Sequence, residues 1–395
     1  MWALLITSLL LPTPVEIDVK TLDDKTISGS IVGLDTGRLT LKTSMGVESI
    51  ATDNLLSITQ KHPKSGPEND SVIWIDLSDG SAVKSKSYTT KGNLAEIAFD
   101  IGVVTLPTKT INAVRFNTAT NSLKEEWANI RQAHPQSDLL VIQKSGSLDY
   151  HEGVIGDVSD KIVQFTLNDD SLRVKRSKVF GLIYYNVTEQ SQLSPTCWVT
   201  LSNGSRWAAK TYKLMEQALH WTTPTGVSTK YPVTDITKID FSQGKVVYLS
   251  DLTPKSTNWL PYFDTAEKSR YRREFFAPSY DFNLSGEPLL LDKKRYQKGL
   301  AVHSHTKIVY KLPDGFRRFK ATVGIDDSVR PKGNVRLVIT GNKRILYNSI
   351  ITGSDAPKEL EFDIVGIKNL SILVDFGKDL DISDHLDLCE ARLVK

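Results

Sequence analysis

The residues whose types and spacing could do chemistry gather in the last hundred positions of this chain. His303, His305 and His385 supply imidazoles, and Asp326-Asp327, Asp381 and Asp384 supply carboxylates between apolar, strand-like runs. Imidazole beside carboxylate can hydrogen-bond a polar ligand, and His303, His305, Asp326, Asp384 and His385 are the candidates for that task. Carboxylates on loops are also the oxygen donors that Ca²⁺ takes, which makes Asp326, Asp327, Asp381 and Asp384 candidates for a structural calcium site. A third reading needs no ligand: buried polar groups are satisfied within the protein, and His–Asp pairs can tie two sheets together. The sequence leaves these readings open. Upstream, the alternation of Tyr271-Arg272-Arg273-Glu274-Phe275-Phe276 reads as an edge strand, with Arg272 a candidate ligand contact.

Other chemistries find no support. The phosphate loop, the dinucleotide loop, the zinc helix HExxH and the elbow GxSxG are absent. His151-Glu152 has no second histidine four residues on. Glycoside hydrolysis needs two carboxyl groups flanking one bond in a cleft, whereas the acidic clusters here sit in turn-like segments. The expectation is a protein without catalytic activity.

The elements that position the candidates are strands. Leu289 to Leu291, Lys307 to Leu312, Arg318 to Gly324, Val335 to Thr340, Lys343 to Asn348, Leu360 to Asp363, Leu370 to Phe376 and Leu388 to Val394 are short apolar runs. Turn signals at Pro313-Asp314-Gly315, Gly341-Asn342 and Gly366 separate them. Short strands at this spacing predict a β-sandwich.

The wording of this region resembles the NPCBM/NEW2 family, a carbohydrate-binding module first noticed in glycoside hydrolases of family 98. The resemblance runs from about residue 271 to 395. It rests on Tyr-x-Lys-Gly-Leu at 296–300, His303, Val-Gly-Ile-Asp at 323–326 and Gly333-Asn334-Val335-Arg336-Leu337. Leu346 with Ser349, Asp375 and Asp384-His385 complete it. It implies a galactose-binding-like jelly roll that binds glycan or polysaccharide without catalysis. Two positions depart from the family: Ala301 stands where members usually carry Gly, and Leu388 where they commonly carry Trp. A Trp at 388 acting as a sugar platform would be lost here; a core Trp would only be repacked.

The preceding 250 residues carry a weak internal period. Turns at Asp23-Asp24-Lys25, Asp79-Gly80, Ser145-Gly146 and Asn203-Gly204 each lead to an apolar closing strand, at Leu55 to Ile58, Ala113 to Phe116, Gly181 to Tyr184 and Lys238 to Phe241. The distance from turn to closing strand is roughly 33 to 38 residues, the scale of a repeated supersecondary unit. Alternation such as Val163, Phe165, Leu167 predicts half-buried antiparallel strands, and each unit reads as a small meander or barrel. One helix interrupts them: Asn121 as cap, then Leu123, Trp127 and Ile130 on one apolar stripe. It falls between the second and third units, so the units are expected to pair first with second and third with fourth, through linkers at Lys61 to Ser71 and Asn186 to Thr196. The fold class is therefore all-β with one short linking helix. Its divisions are 1–14, 15–118 (two units), 119–136 (helical linker), 137–250 (two more units) and 251–395 (sandwich).

Composition narrows the partners. The 395 residues include 49 basic and 46 acidic side chains, a net charge of +3, which argues against a nucleic-acid binder with a one-sided basic face. The densest basic run, Arg173 to Lys178, alternates with apolar residues and reads as the solvated face of a strand. The apolar run from Met1 to Pro12 is shorter than the about 20 residues that span a bilayer and suits the core of a secretory signal. A secreted or extracytoplasmic protein is expected, with no membrane span. Cys197 and Cys389 lack metal spacing and are expected to be buried free thiols. The competing reading is a structural or protein-interaction protein whose C-terminal module no longer binds sugar.

Overall fold

The computed structural model describes residues 15–64, 73–100, 102–117, 120–132, 136–185, 194–260, 276–378 and 380–395. The run from Met1 to Pro12, Arg272 and most of both linkers lie outside them. The chain forms two compact units, Met1–Gln243 and Gly244–Lys395. Apart from the helix Asn121–Gln132 and single 3₁₀ turns, the described elements are strands.

In the first unit one order of elements recurs four times. An opening strand leads through a meander to a 3₁₀ turn and a closing strand. The openers are Glu16–Thr21, Ile73–Leu77, Asp138–Lys144 and Cys197–Leu201; the closers are Leu55–Gln60, Ile111–Arg115, Val179–Ile183 and Ile236–Asp240. Each closer pairs antiparallel with its own opener, with a register shift near one end of the pair. The early turns need left-handed backbone: Asp24, Gly80, Ser145, Gly146 and Gly204 all have positive φ, which Gly, Asp and Asn tolerate best.

Closing strands then pair between segments, and not in the expected order. Ile111–Arg115 pairs with Val179–Ile183, and Leu55–Gln60 with Ile236–Asp240. The second segment thus joins the third and the first joins the fourth. The physical reason is edge satisfaction: each closer has its opener on one side and would otherwise present an unpaired edge on the other. The second and fourth segments also interlock through buried serines. Ser81 Oγ accepts from the Ala208 amide at 2.9 Å, and Ser205 Oγ from the Lys84 amide at 2.9 Å.

The helix places Leu123 and Trp127 against Ala113, Leu139, Val141, Phe180 and Ile183. It begins one residue earlier than the sequence suggested, with Asn121 inside it and the Lys124 amide bonded to the Thr120 carbonyl. Gly181 is required here, because a Cβ would lie 2.6 Å from both Trp127 and the Val114 carbonyl.

The second unit is a sandwich of antiparallel strands. One sheet runs Ser279–Tyr280, Gly299–His303, His385–Val394, Arg318–Ile325, Lys358–Asp363; Val246–Tyr248 also pairs with the last strand of the chain. The other runs Ser256–Trp259, Thr306–Lys311, Asn369–Phe376, Asn334–Gly341, Arg344–Thr352. Alternating residues of both meet in one core that includes Leu300, Phe319, Tyr310, Leu337 and Ile372. Each such side chain contributes about 1.5–3 kcal/mol by leaving water.

The first sheet is also covered on its outer face. The hairpin of Leu289–Leu291 and Lys294–Tyr296 packs over Ala301 and Cys389. Gly299–His303 is consequently buried along its whole length. Leu388 is fully buried, opposite Leu300 and Val323 in register, so this position belongs to the sandwich core. Both cysteines are buried free thiols, and burial raises the Cys389 pKa.

Candidate functional site

The antiparallel registers bring the ends of many strands to one end of the sandwich. His303 closes one strand and His385 opens its neighbour, directly opposite in register. Asp326 and Asp327 follow the strand Arg318–Ile325. Trp259 lies opposite Thr306, Thr306 opposite Val374, and Val335 opposite Phe376. This end therefore gathers His303, His305, Asp326, Asp327, Asp384 and His385, residues far apart along the chain.

Three of these side chains are buried: His303 at 3% exposure, Asp326 at 1% and Asp384 at 0%. The His303 ring packs on Phe276 with centroids 4.3 Å apart and lies edge-on to His385 at 5.8 Å. Burial, and then the neighbouring His385, push the His303 pKa down. Burial also lowers that of His385, against a smaller opposing pull from Asp326. The Asp384 Oδ1 accepts the Asn334 amide at 3.0 Å and so fixes the start of a strand. Asp326 Oδ1 accepts from Asn283 Nδ2 at 3.3 Å, from the Ser328 amide at 3.0 Å and from the Ser328 hydroxyl.

Asp326 has a further neighbour that the sequence did not single out. Asp387 is fully buried on the outer face of its strand, opposite Ala301 and Gly324. Burial raises its pKa well above the usual carboxylate value, and a hydrogen bond with Asp326 raises it further. Burial and the nearby Asp326 carboxyl thus favour the neutral form of Asp387. The signal was the alternation Leu386-Asp387-Leu388, which puts Asp387 opposite the core face; it suggests solvent unless a covering hairpin is foreseen.

Three of the four carboxylates named as possible calcium ligands are engaged with donors of the protein. Asp326 accepts from Asn283 and Ser328 and lies beside Asp387. Asp327 accepts the Asp292 and Lys293 amides at 2.9 and 2.7 Å. Asp384 caps a strand, while the main chain of Asp381 serves the His303 ring. Among the described residues no group of three or more His, Cys, Asp or Glu could hold a metal ion.

The accessible groups at this end are different. His305, in a left-handed turn, places Nδ1 2.9 Å from Asp375 Oδ1; the two side chains are 34% and 32% exposed. Its ring stacks on Phe376, with centroids 4.7 Å apart and planes at 12°. Trp259 stacks on Phe276 at 5.1 Å and 25°. His385, Trp259 and Phe376 are half-buried. Flat rings beside an imidazole–carboxylate pair can receive the C–H face of a sugar and hydrogen-bond its hydroxyls. Trp259 was missed because the run Ser256–Trp259 is a short edge strand with no apolar alternation.

Comparison with known proteins gives several matches. Ninety residues are 31% identical to a Renibacterium salmoninarum protein named "Putative endo-alpha-N-acetylgalactosaminidase". The match takes in 22% of this chain, which spans only 6% of the length of that relative. Among solved structures, a CBM51 of a Clostridium perfringens GH95 enzyme in complex with methyl-galactose is 24% identical. That likeness covers 38% of this chain and 99% of the other, with a TM-score of 0.32. The tandem CBM51 modules of a Streptococcus pneumoniae family 98 glycoside hydrolase are 15% identical over 82% of this chain and 88% of theirs, with a TM-score of 0.31. The sandwich with its histidine-bearing end also matches a family model across nearly its full length: residues 245–394 match the model of the NPCBM/NEW2 domain.

Proposed function

We propose that this chain is a secreted, non-catalytic carbohydrate-binding protein whose NPCBM/NEW2 domain holds a glycan at the histidine-bearing end of the sandwich. The observation that carries this reading is the half-exposed His305–Asp375 pair stacked on Phe376, at the same end as His385 and Trp259. His305 and His385 contact the sugar; His303, Asp326 and Asp384 stand behind them and hold the loops. Arg272 is a further candidate contact, outside the described residues. The absence of catalysis is supported by the carboxyls of this end, which are buried or bound to backbone amides. A shallow site of this kind buries few ligand atoms, so its affinity is on the order of tens of micromolar. The apolar run from Met1 to Pro12 supports secretion; the described residues hold no helix long and apolar enough to cross a membrane.

The test is a glycan array probed with the full chain, followed by calorimetry on any hit with His305→Ala and Phe376→Ala. The reading expects a defined glycan class and weaker binding by both variants. Failure to bind any glycan, or variants that bind as the parent does, would overturn it. That result would favour the competing reading, a structural or interaction protein, which the burial of His303, Asp326 and Asp384 also suits. Sequencing the mature N-terminus checks secretion, with a start beyond Pro12 expected.

A further inference from the structure

A second polar surface lies far from that end in sequence, in the fourth segment of the first unit. The strands Thr211–Met215, Ala218–Thr222 and Ser228–Pro232 form a small antiparallel sheet. In register, Lys213 lies opposite His220 and His220 opposite Lys230; the next row is Thr211, Thr222, Ser228. Side chains alternate along a strand, so these six share one face. The intervening row of Tyr212, Trp221 and Thr229 shares the other and is buried. The six-residue face lines an open cleft of about 670 Å³, which Asp35, Thr36 and Gly102 to Val104 line as well.

The electrostatics of this face are one-sided. Asp35 is the only carboxylate among the lining residues. It accepts the Gly37 and Arg38 amides at 2.9 and 3.0 Å, and its backbone bridges to that of Lys213. Lys213 and Lys230 flank His220 in that row, and an anion lying along it can pair with both ammonium groups. The hydroxyls of Thr211, Thr222 and Ser228 offer hydrogen bonds beside it. Lys213 and Lys230 sit two strands apart, about 10 Å between backbones, a span suited to successive charges of a chain. Val103, 61% exposed, adds an apolar wall against which a sugar ring can lie. The two lining aromatics, Tyr212 and Trp221, are buried, so the cleft has no stacking platform for bases.

We propose that this cleft binds an acidic polysaccharide through its sulfate or carboxylate groups, a second glycan site independent of the sandwich. The full chain is titrated by calorimetry with dextran sulfate, polygalacturonate, neutral dextran and a short DNA duplex. Binding to a charged polysaccharide but not to neutral dextran is expected, weakening as salt is raised. Lys213→Ala/Lys230→Ala should lower that affinity about tenfold or more, with an unchanged melting temperature because both lysines are exposed. Lys213→Arg/Lys230→Arg should retain it. Lys175→Ala/Lys178→Ala, which alters the basic run elsewhere in the unit, should leave it within about twofold. Four results would overturn the proposal: no binding to either charged polysaccharide, an alanine pair that binds as the parent does, an equal loss in the control pair, or tighter binding to DNA.

Discussion

Asp387 lies buried beside Asp326 in the sandwich, where burial and the neighbouring carboxyl raise the Asp387 pKa. The pair sits behind the histidine-bearing end and fixes the loop from which Asp327 and Ser328 make their bonds. Its existence makes the stability of the domain depend on pH.

The sign follows from linkage. The folded pKa of Asp387 is raised, so its contribution is fully present below the unfolded value of about 3.9 and is lost as pH rises through the folded value. Asp387→Asn keeps a neutral donor in place. It is expected to raise the melting temperature of the domain relative to the parent at pH 8 and to flatten the alkaline side of the profile. Asp387→Ala leaves Asp326 without its partner and should cost about 1–3 kcal/mol. Thermal unfolding between pH 5 and 9 checks both.

On the acid side His303 and His385 act in the opposite sense. Their folded pKa values are lowered, chiefly by burial. Their contribution is present above the unfolded value of about 6.5 and is lost as pH falls through the folded values. The melting temperature should fall between pH 7 and pH 5, and His303→Gln/His385→Gln should make that fall shallower. An equally steep fall in the double variant would count against these two groups.

The turns of the first unit were legible because left-handed residues are rare and typed: Asp24, Gly80, Gly146 and Gly204 announced themselves. The sandwich strands with one wet face were legible through alternation. Gly299–His303 was read as a motif and not as a strand, because a strand covered on both faces does not alternate. Asp387 was hidden for the same reason, since only the hairpin Leu289 to Tyr296 makes its face an interior. The cross-segment pairing was illegible because strand partners distant in the chain leave no local trace.

Two histidines two residues apart should separate under substitution. His303→Ala removes a buried ring from Phe276 and should cost about 2–4 kcal/mol. His305→Ala removes a half-exposed ring and a screened pair and should cost under about 1 kcal/mol while weakening glycan binding. Melting curves and glycan calorimetry on both variants decide this; equal stability losses would show that His305 too is structural.

Leu388→Trp tests the family departure. The side chain would enter a filled core against Leu300 and Val323, and overpacking should cost about 1–3 kcal/mol. No gain in glycan affinity is expected. A gain without loss of stability would place a sugar platform at this position.

Chelation should leave the domain unmoved. A ligand bound only to the native state stabilises it, and the carboxyls of this end are engaged with protein donors. A melting temperature that drops in EDTA by more than about 2 °C, the shift expected for a loss near 1 kcal/mol, would reopen the metal question.

The pairing of Thr59 with Lys238 bears on how the chain is made. The first segment leaves the ribosome with its closing strand exposed and must wait for the fourth to be synthesised before that edge is covered. Until then it is open to pairing with another chain. Nonlocal closure of this kind slows folding, and it sets a rule for assembly: segments cannot be added or removed singly as in an open solenoid.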